Sequence, residues 1–216
     1  HDGEYPMNEG DIATSHRERI RVANFEDEFE EIHVEHSTAL HARRTKTAAT
    51  YLCGPLPRVN LNLDRLAPAA RRVMDELKID WPCLNPFQSI VALGLELIHA
   101  YAEALQIIRE YSPLGPPRAK YEYRQAEGCA ATEAPRGLLY HRYQVDDRGK
   151  IVVAKIVPPT SQNQAQIESD LRERIPFILS SHASDPARQC ENLVRCYDPC
   201  ISCSTHFLNV EIQRHD

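Results

Sequence analysis

The sequence lacks the features of a membrane protein and of a nucleic-acid-binding protein. No apolar run in its 216 residues reaches the length of a membrane span, and no signal peptide is present. A formal net charge of −6 leaves no basic excess for binding phosphate backbones. The hydrophobic content of 42% and the charged content of 26% are those of a soluble globular domain with a sizeable core.

The cysteines lack the even, regular spacing of a disulfide framework. There are seven, an odd number, which indicates a reducing, cytoplasmic compartment with metal-bound or free thiols. An initiating methionine is also missing, and the polar segment that starts at His1 begins abruptly. We therefore expect residues 1–216 to be a single domain that forms the C-terminal part of a longer protein.

The sequence does contain a cluster of cysteines near its C-terminus. The segment from Cys196 to His206 reads CYDPCISCSTH. Thiolates are soft ligands, and a Cys-x-x-Cys loop lets two of them, here Cys200 and Cys203, converge on one metal ion. The spacing alone leaves open a dithiol redox pair, a zinc site built from the three cysteines and His206, or an iron–sulfur ligand set.

Hydrophobic periodicity predicts a mainly α-helical fold. Helices are expected near Pro68, from Asn85-Pro86, from Ile167 and from Asp185-Pro186. The second of these has one apolar stripe, which we expect to face the core. The members of the stripe are Phe87, Ile90, Val91, Ile98, Tyr101, Leu105 and Ile108.

One β-hairpin is predicted beside these helices. Its strands cover 139–145 and 151–157, separated by a turn of Asp and Gly residues. Residues 112–137 are interpreted as a connection and residues 1–24 as a loop or irregular strands. The predicted fold is a helical bundle with a small antiparallel hairpin at about 138–157.

Three histidines occur close together at His33, His36 and His41. Their spacing could suggest zinc, but Glu35 does not sit as it does in a His-Glu-x-x-His helix. We expect ordinary polar contacts for these side chains.

The residues around the C-terminal thiols resemble a signature of the large subunit of nickel–iron hydrogenases. The matching run is DPCISCSTH at 198–206, and the runs VEHS at 34–37 and GPLPRVN at 54–60 also resemble segments of that family, the former in its cytoplasmic, cofactor-coupled (group 3) branch. The resemblance implies a helical-bundle large-subunit fold. It also implies that Cys200 is a terminal nickel ligand and that Cys203 bridges nickel and iron.

Two further runs resemble the parts of that family that surround the metals. EAPRG at 133–137 implies that the Arg136 guanidinium lies over the open coordination position and bonds both a cyanide ligand and the carboxylate of Asp198. The turn of Pro159 and Thr160 would donate hydrogen bonds to a second cyanide, with Thr160 supplying the hydroxyl. On the residues alone, the alternatives are a surface salt bridge and a strand-ending turn.

The resemblance implies reversible heterolytic cleavage of dihydrogen at a nickel–iron centre that carries cyanide and carbon monoxide. Cys200 or Arg136 would take the proton, and electrons would pass through a small iron–sulfur subunit and diaphorase-type subunits to NAD(P) or a similar acceptor. Nickel-insertion proteins and a maturation endopeptidase are implied as partners. The endopeptidase would cut after His206, which then helps to bind a magnesium or iron ion, so residues 207–216 would be a cleavable extension.

The other ligand pair of that family is absent. It belongs to an N-terminal Arg-x-Cys-Gly-x-Cys motif, whereas Cys200 and Cys203 form the only Cys-x-x-Cys in this sequence. We therefore expect the chain alone to be inactive. The alternative function is a zinc-stabilised Cys/His interaction module without catalysis, and a dithiol catalyst would lack its usual βαβ context.

Overall fold

The computed structural model describes residues 4–113, 115–118, 120–180 and 185–204, with only the backbone described at 203 and 204. Helical residues outnumber strand residues in this part of the chain. The α-helices are α1 (Phe25–Glu28), α2 (Pro55–Leu61), α3 (Pro68–Glu76), α4 (Ser89–Glu110), α5 (Pro159–Ser180), α6 (Pro186–Arg195) and α7 (Ile201–Ser204). Short 3-10 turns occur at Val22–Asn24, Leu63–Arg65 and Pro86–Gln88.

The strands form three small antiparallel sheets among the described residues. They are β1 (Ile12–Ala13) with β2 (Arg19–Ile20), β3 (Phe29–Ile32) with β4 (His41–Arg44), and a three-stranded sheet of β5 (Ala126–Ala134), β6 (Gly137–Val145) and β7 (Ile151–Val157). The fold thus contains the predicted helices together with more sheet than the sequence indicated.

The predicted hairpin is present as β6 and β7, which pair antiparallel. The interpretation of 112–137 as a connection was wrong for β5, which pairs with β6 along its whole length. Most of β5 is exposed, so its sequence has no alternating apolar pattern from which a strand could be predicted. Pairing with β6 is what determines its conformation.

Helix α5 begins at Pro159, eight residues before the predicted start at Ile167. Its first turns bury polar side chains, including Gln162, and therefore show no hydrophobic periodicity. The Gln162 amide donates to the carbonyls of Leu138 and Val157 at 2.5 and 3.2 Å. These bonds fix the start of α5 against the ends of β6 and β7.

The prediction that the apolar stripe of α4 faces the core was wrong. The buried residues of α4 are Ser89, Ala92, Leu95, Glu96 and His99, and this face packs on α2 and α3. Most of the predicted stripe points outward, whereas Ile98 packs partly buried against the core cluster that includes Leu56 and Leu95. Tyr101 and Ile108, for example, are 67% and 71% exposed.

The orientation of α4 is set by hydrogen bonds and ion pairs of buried polar side chains, which hydrophobic periodicity does not take into account. Glu96 bonds Arg58 and Tyr5, and the His99 ring accepts a hydrogen bond from Ala67 N at 3.0 Å. By length and composition, residues 86–110 also qualify as one helix able to cross a membrane, although no apolar run of that length was expected from the sequence. Two ionisable residues, Glu96 and His99, are buried on this helix.

A small apolar cluster joins α5 to the end of α6. Ile167, Leu193 and Tyr197 are all buried in it. The Tyr197 hydroxyl also donates to Asp170 on α5. Because Tyr197 immediately precedes Asp198, this packing holds the predicted metal-binding segment against the start of α5.

Candidate metal centre

The segment that carries the thiols is oriented by the helix before it. Asp185 caps α6 by accepting a hydrogen bond from Arg188 N at 3.0 Å, and Pro186 occupies the first turn. After α6, Asp198 adopts a left-handed conformation with φ of +46°, which Asp tolerates better than most residues. This residue turns the chain from α6 towards Cys200 and α7.

Arg136 and Asp198 are in direct contact although 62 residues separate them. The Arg136 Nε donates to the backbone carbonyl of Asp198 at 2.6 Å, and Nη2 donates to the carboxylate Oδ1 at 3.3 Å. Their side chains are 39% and 51% exposed, so solvent weakens the charge attraction to about 1 kcal/mol or less. The contact therefore sets position and orientation more than it adds stability.

Thr160 and Cys200 are also brought together. The backbone N–H of Cys200 donates to the Thr160 hydroxyl oxygen at 3.3 Å, and Thr160 is buried beside Pro159 at the start of α5. Because the oxygen acts as the acceptor, the hydroxyl hydrogen can still be donated elsewhere. A hydroxyl group thus lies beside the backbone of Cys200, the first cysteine of the Cys-x-x-Cys pair.

Two predicted ligands cannot be placed. The backbone of Cys203 lies in α7, but its side chain and His206 are outside the described residues. The ligand roles of Cys200, Cys203 and His206 stay predictions, as does the cleavable extension at 207–216. Cys196 caps α6, and its thiol donates to the Asn192 carbonyl at 3.0 Å.

A buried arginine supports the loop that carries Arg136. Arg58 Nη1 donates to the Ala134 carbonyl at 2.7 Å, and Nη2 donates to the Pro135 carbonyl at 3.0 Å. The same guanidinium forms ion pairs with Glu96 and Glu133 at 2.7 and 2.6 Å. Arg58 belongs to the GPLPRVN run, whereas Glu96, 38 residues away, belongs to no motif and was not predicted as its partner.

Burial is the largest single influence on the pKa values of Arg58, Glu133 and Tyr5. Burial raises the pKa of Glu133, and the neighbouring Arg58 offsets only part of the shift. Burial alone would lower the pKa of Arg58, but its bonds with Glu96 and Glu133 raise it overall. The Tyr5 hydroxyl donates to Glu96 at 2.6 Å, and burial beside that carboxylate raises the Tyr5 pKa. The charges on this network therefore depend on one another.

The loops that carry Cys53 and Arg136 cross at two glycines. A Cβ on Gly137, whose φ is +137°, would lie 2.7 Å from the Cys53 sulfur, and a Cβ on Gly54 would lie 2.9 Å from the Arg136 carbonyl oxygen. The Cys53 thiol lies 3.4 Å from Asn163 Oδ1, to which it donates. Although the residue is partly exposed, burial of its sulfur raises the pKa to about 12. Cys53 therefore stays a neutral thiol, as expected for a small buried side chain.

These residues fit one side of a nickel–iron group. A narrow cleft is lined by Cys53, Arg136, Asn163 and Asp198. The Arg136 guanidinium lines this cleft, and the Thr160 hydroxyl contacts the backbone of Cys200, two residues after Asp198. Donors of this kind suit a thiolate-bound metal whose ligands accept hydrogen bonds. Only the Cys200–Cys203 pair in this sequence has the spacing of convergent thiolates, so the chain offers two thiolate ligands of that kind.

Comparison with known proteins gives one consistent family. A family model described as nickel-dependent hydrogenase matches residues 101–206. The alpha subunit of sulfhydrogenase 1 from Pyrococcus furiosus is 31% identical over 205 residues, which cover 92% of this chain and 46% of that subunit. The beta subunit of the NAD-reducing hydrogenase HoxS from Cupriavidus necator is 27% identical over 177 residues, with 72% and 34% coverage.

A solved structure shows the same fold. An NAD⁺-reducing [NiFe]-hydrogenase in its H₂-reduced state superposes with a TM-score of 0.79 and 22% identity, over 95% of this chain and 49% of that one. The chain spans about half the length, or less, of the relatives it matches.

Proposed function

We propose that this chain, which belongs to the nickel-dependent hydrogenase family, supplies the C-terminal ligand pair of a catalytic large subunit. The observation that carries the proposal is the meeting of two distant pairs, Arg136 with Asp198 and Thr160 with Cys200. A zinc module would not require either contact. Catalysis by the family, by contrast, needs a cation and a hydroxyl beside the thiols.

Each residue then has a defined task. Cys200 and Cys203 would hold the metals as terminal and bridging ligands. Thr160, in the turn that begins at Pro159, and Arg136 would donate hydrogen bonds to the cyanide ligands of iron. When bound, the nickel–iron group supplies the site of reversible heterolytic cleavage of dihydrogen. Asp198 fixes the direction in which the Arg136 guanidinium points.

We assign the Cys200 sulfur as the acceptor of the proton that cleavage of dihydrogen releases. A guanidinium stays protonated in proteins, so Arg136 serves as a hydrogen-bond donor and a cation, not as a base. A terminal thiolate beside this cation can accept a proton and release it to solvent. Arg136 and Asp198 act on the same step by holding this arrangement.

A second segment is needed to complete the site. The exposed apolar face of α4, which includes Ile90, Tyr101 and Leu105, is the surface that such a segment would cover. We propose that the segment contains Arg-x-Cys-Gly-x-Cys, which supplies the missing thiolate pair. Contact with it would also exclude water from the cleft.

The relatives of this chain support a proposal about its partner proteins. One of them belongs to an NAD-reducing enzyme, so we propose that electrons pass through a small iron–sulfur subunit and diaphorase-type subunits to NAD(P) in the cytoplasm. Nickel-insertion proteins and an endopeptidase that cuts after His206 would complete maturation. His206 would then help to bind a magnesium or iron ion.

Dihydrogen-dependent dye reduction tests the proposal. The 216-residue chain is compared with the complete subunit that has been matured with its accessory proteins, and nickel, iron and zinc are measured in both. We expect nickel, iron and activity only in the complete subunit. Activity in the chain alone would refute the proposal that a second segment must supply another thiolate pair. A matured complete subunit that contains zinc and is inactive would support the interaction-module alternative instead.

A further inference from the structure

Two histidines and a glutamate outside the hydrogenase motifs converge on one point. His36 lies in the loop between β3 and β4, His41 is the first residue of β4, and Glu168 lies on α5. One imidazole nitrogen from each histidine and one carboxylate oxygen lie within 4.8 Å of one another. We propose that these three side chains bind a divalent transition-metal ion of the zinc type, at a site separate from the thiols.

One of the two distances to Glu168 suits coordination, and the other is that of a hydrogen bond. The His41 Nε2 lies 3.7 Å from Glu168 Oε1, and the His36 Nε2 lies 2.6 Å from the same oxygen. Ligand atoms of a tetrahedral zinc ion, with bonds of about 2.1 Å, are roughly 3.4 Å apart. The His41–Glu168 separation is close to that value and too long for a hydrogen bond. For both nitrogens to bind one ion with Glu168, the His36 Nε2 must move away from Glu168 Oε1 by less than about 1 Å. The 65% exposed side chain of His36 permits this movement.

The ligands are held by ordered parts of the chain. His41 is 3% exposed in β4, which packs against α5, the helix of Glu168. The loop of His36 is closed by a backbone bond from Ser37 N to the Val34 carbonyl at 3.3 Å and by a bond from Ala39 N to the Ser37 hydroxyl at 3.1 Å. Binding would therefore order one exposed side chain and little else.

The donor set selects the kind of ion. Two imidazoles and one carboxylate are a three-ligand zinc set that leaves the fourth position to water. Magnesium and calcium prefer all-oxygen ligands, so they would bind poorly here. The ion would link the β3–β4 loop to α5, whose first turn carries Thr160. The site does not depend on the proposed function.

A Co²⁺ titration followed by Zn²⁺ competition tests the site in the purified protein. Co²⁺ bound by thiolates gives intense charge-transfer absorption, whereas a His–carboxylate site gives only weak visible bands. We expect His36→Ala and Glu168→Gln to weaken the thiolate-free component at least about tenfold, because removing a ligand costs more than removing a residue that merely supports one. His33→Ala, at an exposed histidine of the same segment, should change nothing.

A thermal measurement separates binding from folding. Without metal, His36→Ala should unfold at the wild-type temperature, since this ring is exposed; Zn²⁺ should raise the midpoint of the wild type and of His33→Ala but not that of His36→Ala. Equal Zn²⁺ affinity in wild type and His36→Ala would overturn the proposal. So would an equal loss in His33→Ala, or Co²⁺ spectra that contain only thiolate bands.

Discussion

Two arginines near the centre of the molecule contact carboxylates in opposite settings. Arg58 is 6% exposed and holds Glu96, Glu133 and two carbonyls of the loop that carries Arg136. Arg136 is 39% exposed and bonds only one residue, Asp198, among the described contacts. A guanidinium that is hydrogen-bonded on every side can only support the residues around it. A guanidinium that is bonded from a single side can still bond a ligand. The difference predicts that substitutions at the two arginines separate folding from activity.

The largest effect on stability is expected at Arg58. Arg58→Met leaves two buried carboxylates without their cation and removes the bonds to the loop, so the free energy of unfolding should fall by about 3–5 kcal/mol. Urea denaturation measures the loss. Arg43→Met is the matched control, because Arg43 pairs with Glu30 at 38% and 37% exposure and should lose less than about 1 kcal/mol. Similar losses in both variants would contradict the distinction between buried and exposed pairs.

The next largest effect on stability is expected where the loops that carry Cys53 and Arg136 cross. In Gly137→Ala the new methyl group meets the Cys53 sulfur and the Gly54 nitrogen at 2.7 and 2.9 Å, at a φ of +137°. We expect a loss of about 1–3 kcal/mol in the free energy of unfolding. Gly128→Ala on β5 has open space around it and serves as the control. An unchanged midpoint in Gly137→Ala would show that the loops do not need this close approach.

The Cys53 thiol gives a smaller, pH-dependent effect. Its folded pKa of about 12 lies above the ordinary value of 9.0, so the protonated thiol favours the fold. That contribution is complete below about pH 9 and is lost as the pH rises towards 12. Between pH 9 and 11, the wild type should lose up to about 1.4 kcal/mol per pH unit more than Cys53→Ala. Denaturation of the wild type and of Cys53→Ala at several pH values measures the difference in slope, and equal slopes would contradict a raised pKa of this thiol.

The sequence predicted the motifs well and the packing of α4 poorly. The runs that contain Arg136, Asp198, Thr160 and Cys200 could be found because their residue types are unusual at those spacings, and they meet in the structure. Which face of α4 is buried could not be read from periodicity. Hydrophobic pattern does not distinguish a face that packs within this chain from one that another segment covers.

The beginning of α5 and the strand β5 were missed for a related reason. Residues 160–163 are buried polar side chains whose bonds reach Cys53, Leu138 and Val157, and β5 depends on pairing with β6. Both are determined by partners distant in sequence. A local pattern carries no signal for such contacts, nor for the ion pair of Glu96 with the distant Arg58.

The smallest effect on stability is expected at Arg136, where the effect on function should be large. Arg136→Gln keeps a donor but removes the charge, and the half-exposed pair with Asp198 contributes about 1 kcal/mol or less to folding. Activity of the complete, matured subunit should nevertheless fall roughly 100-fold or more, the usual result of removing a positioned electrostatic donor. Dihydrogen-dependent dye reduction and urea denaturation on the same preparation measure both quantities. Arg142→Gln is the control, since Arg142 on β6 pairs with Glu26 of α1 and its substitution should leave activity near the wild-type level. A stable, metal-loaded Arg136→Gln subunit with full activity would remove Arg136 from the proposed site, because the cation would then be as dispensable to the reaction as it is to the fold.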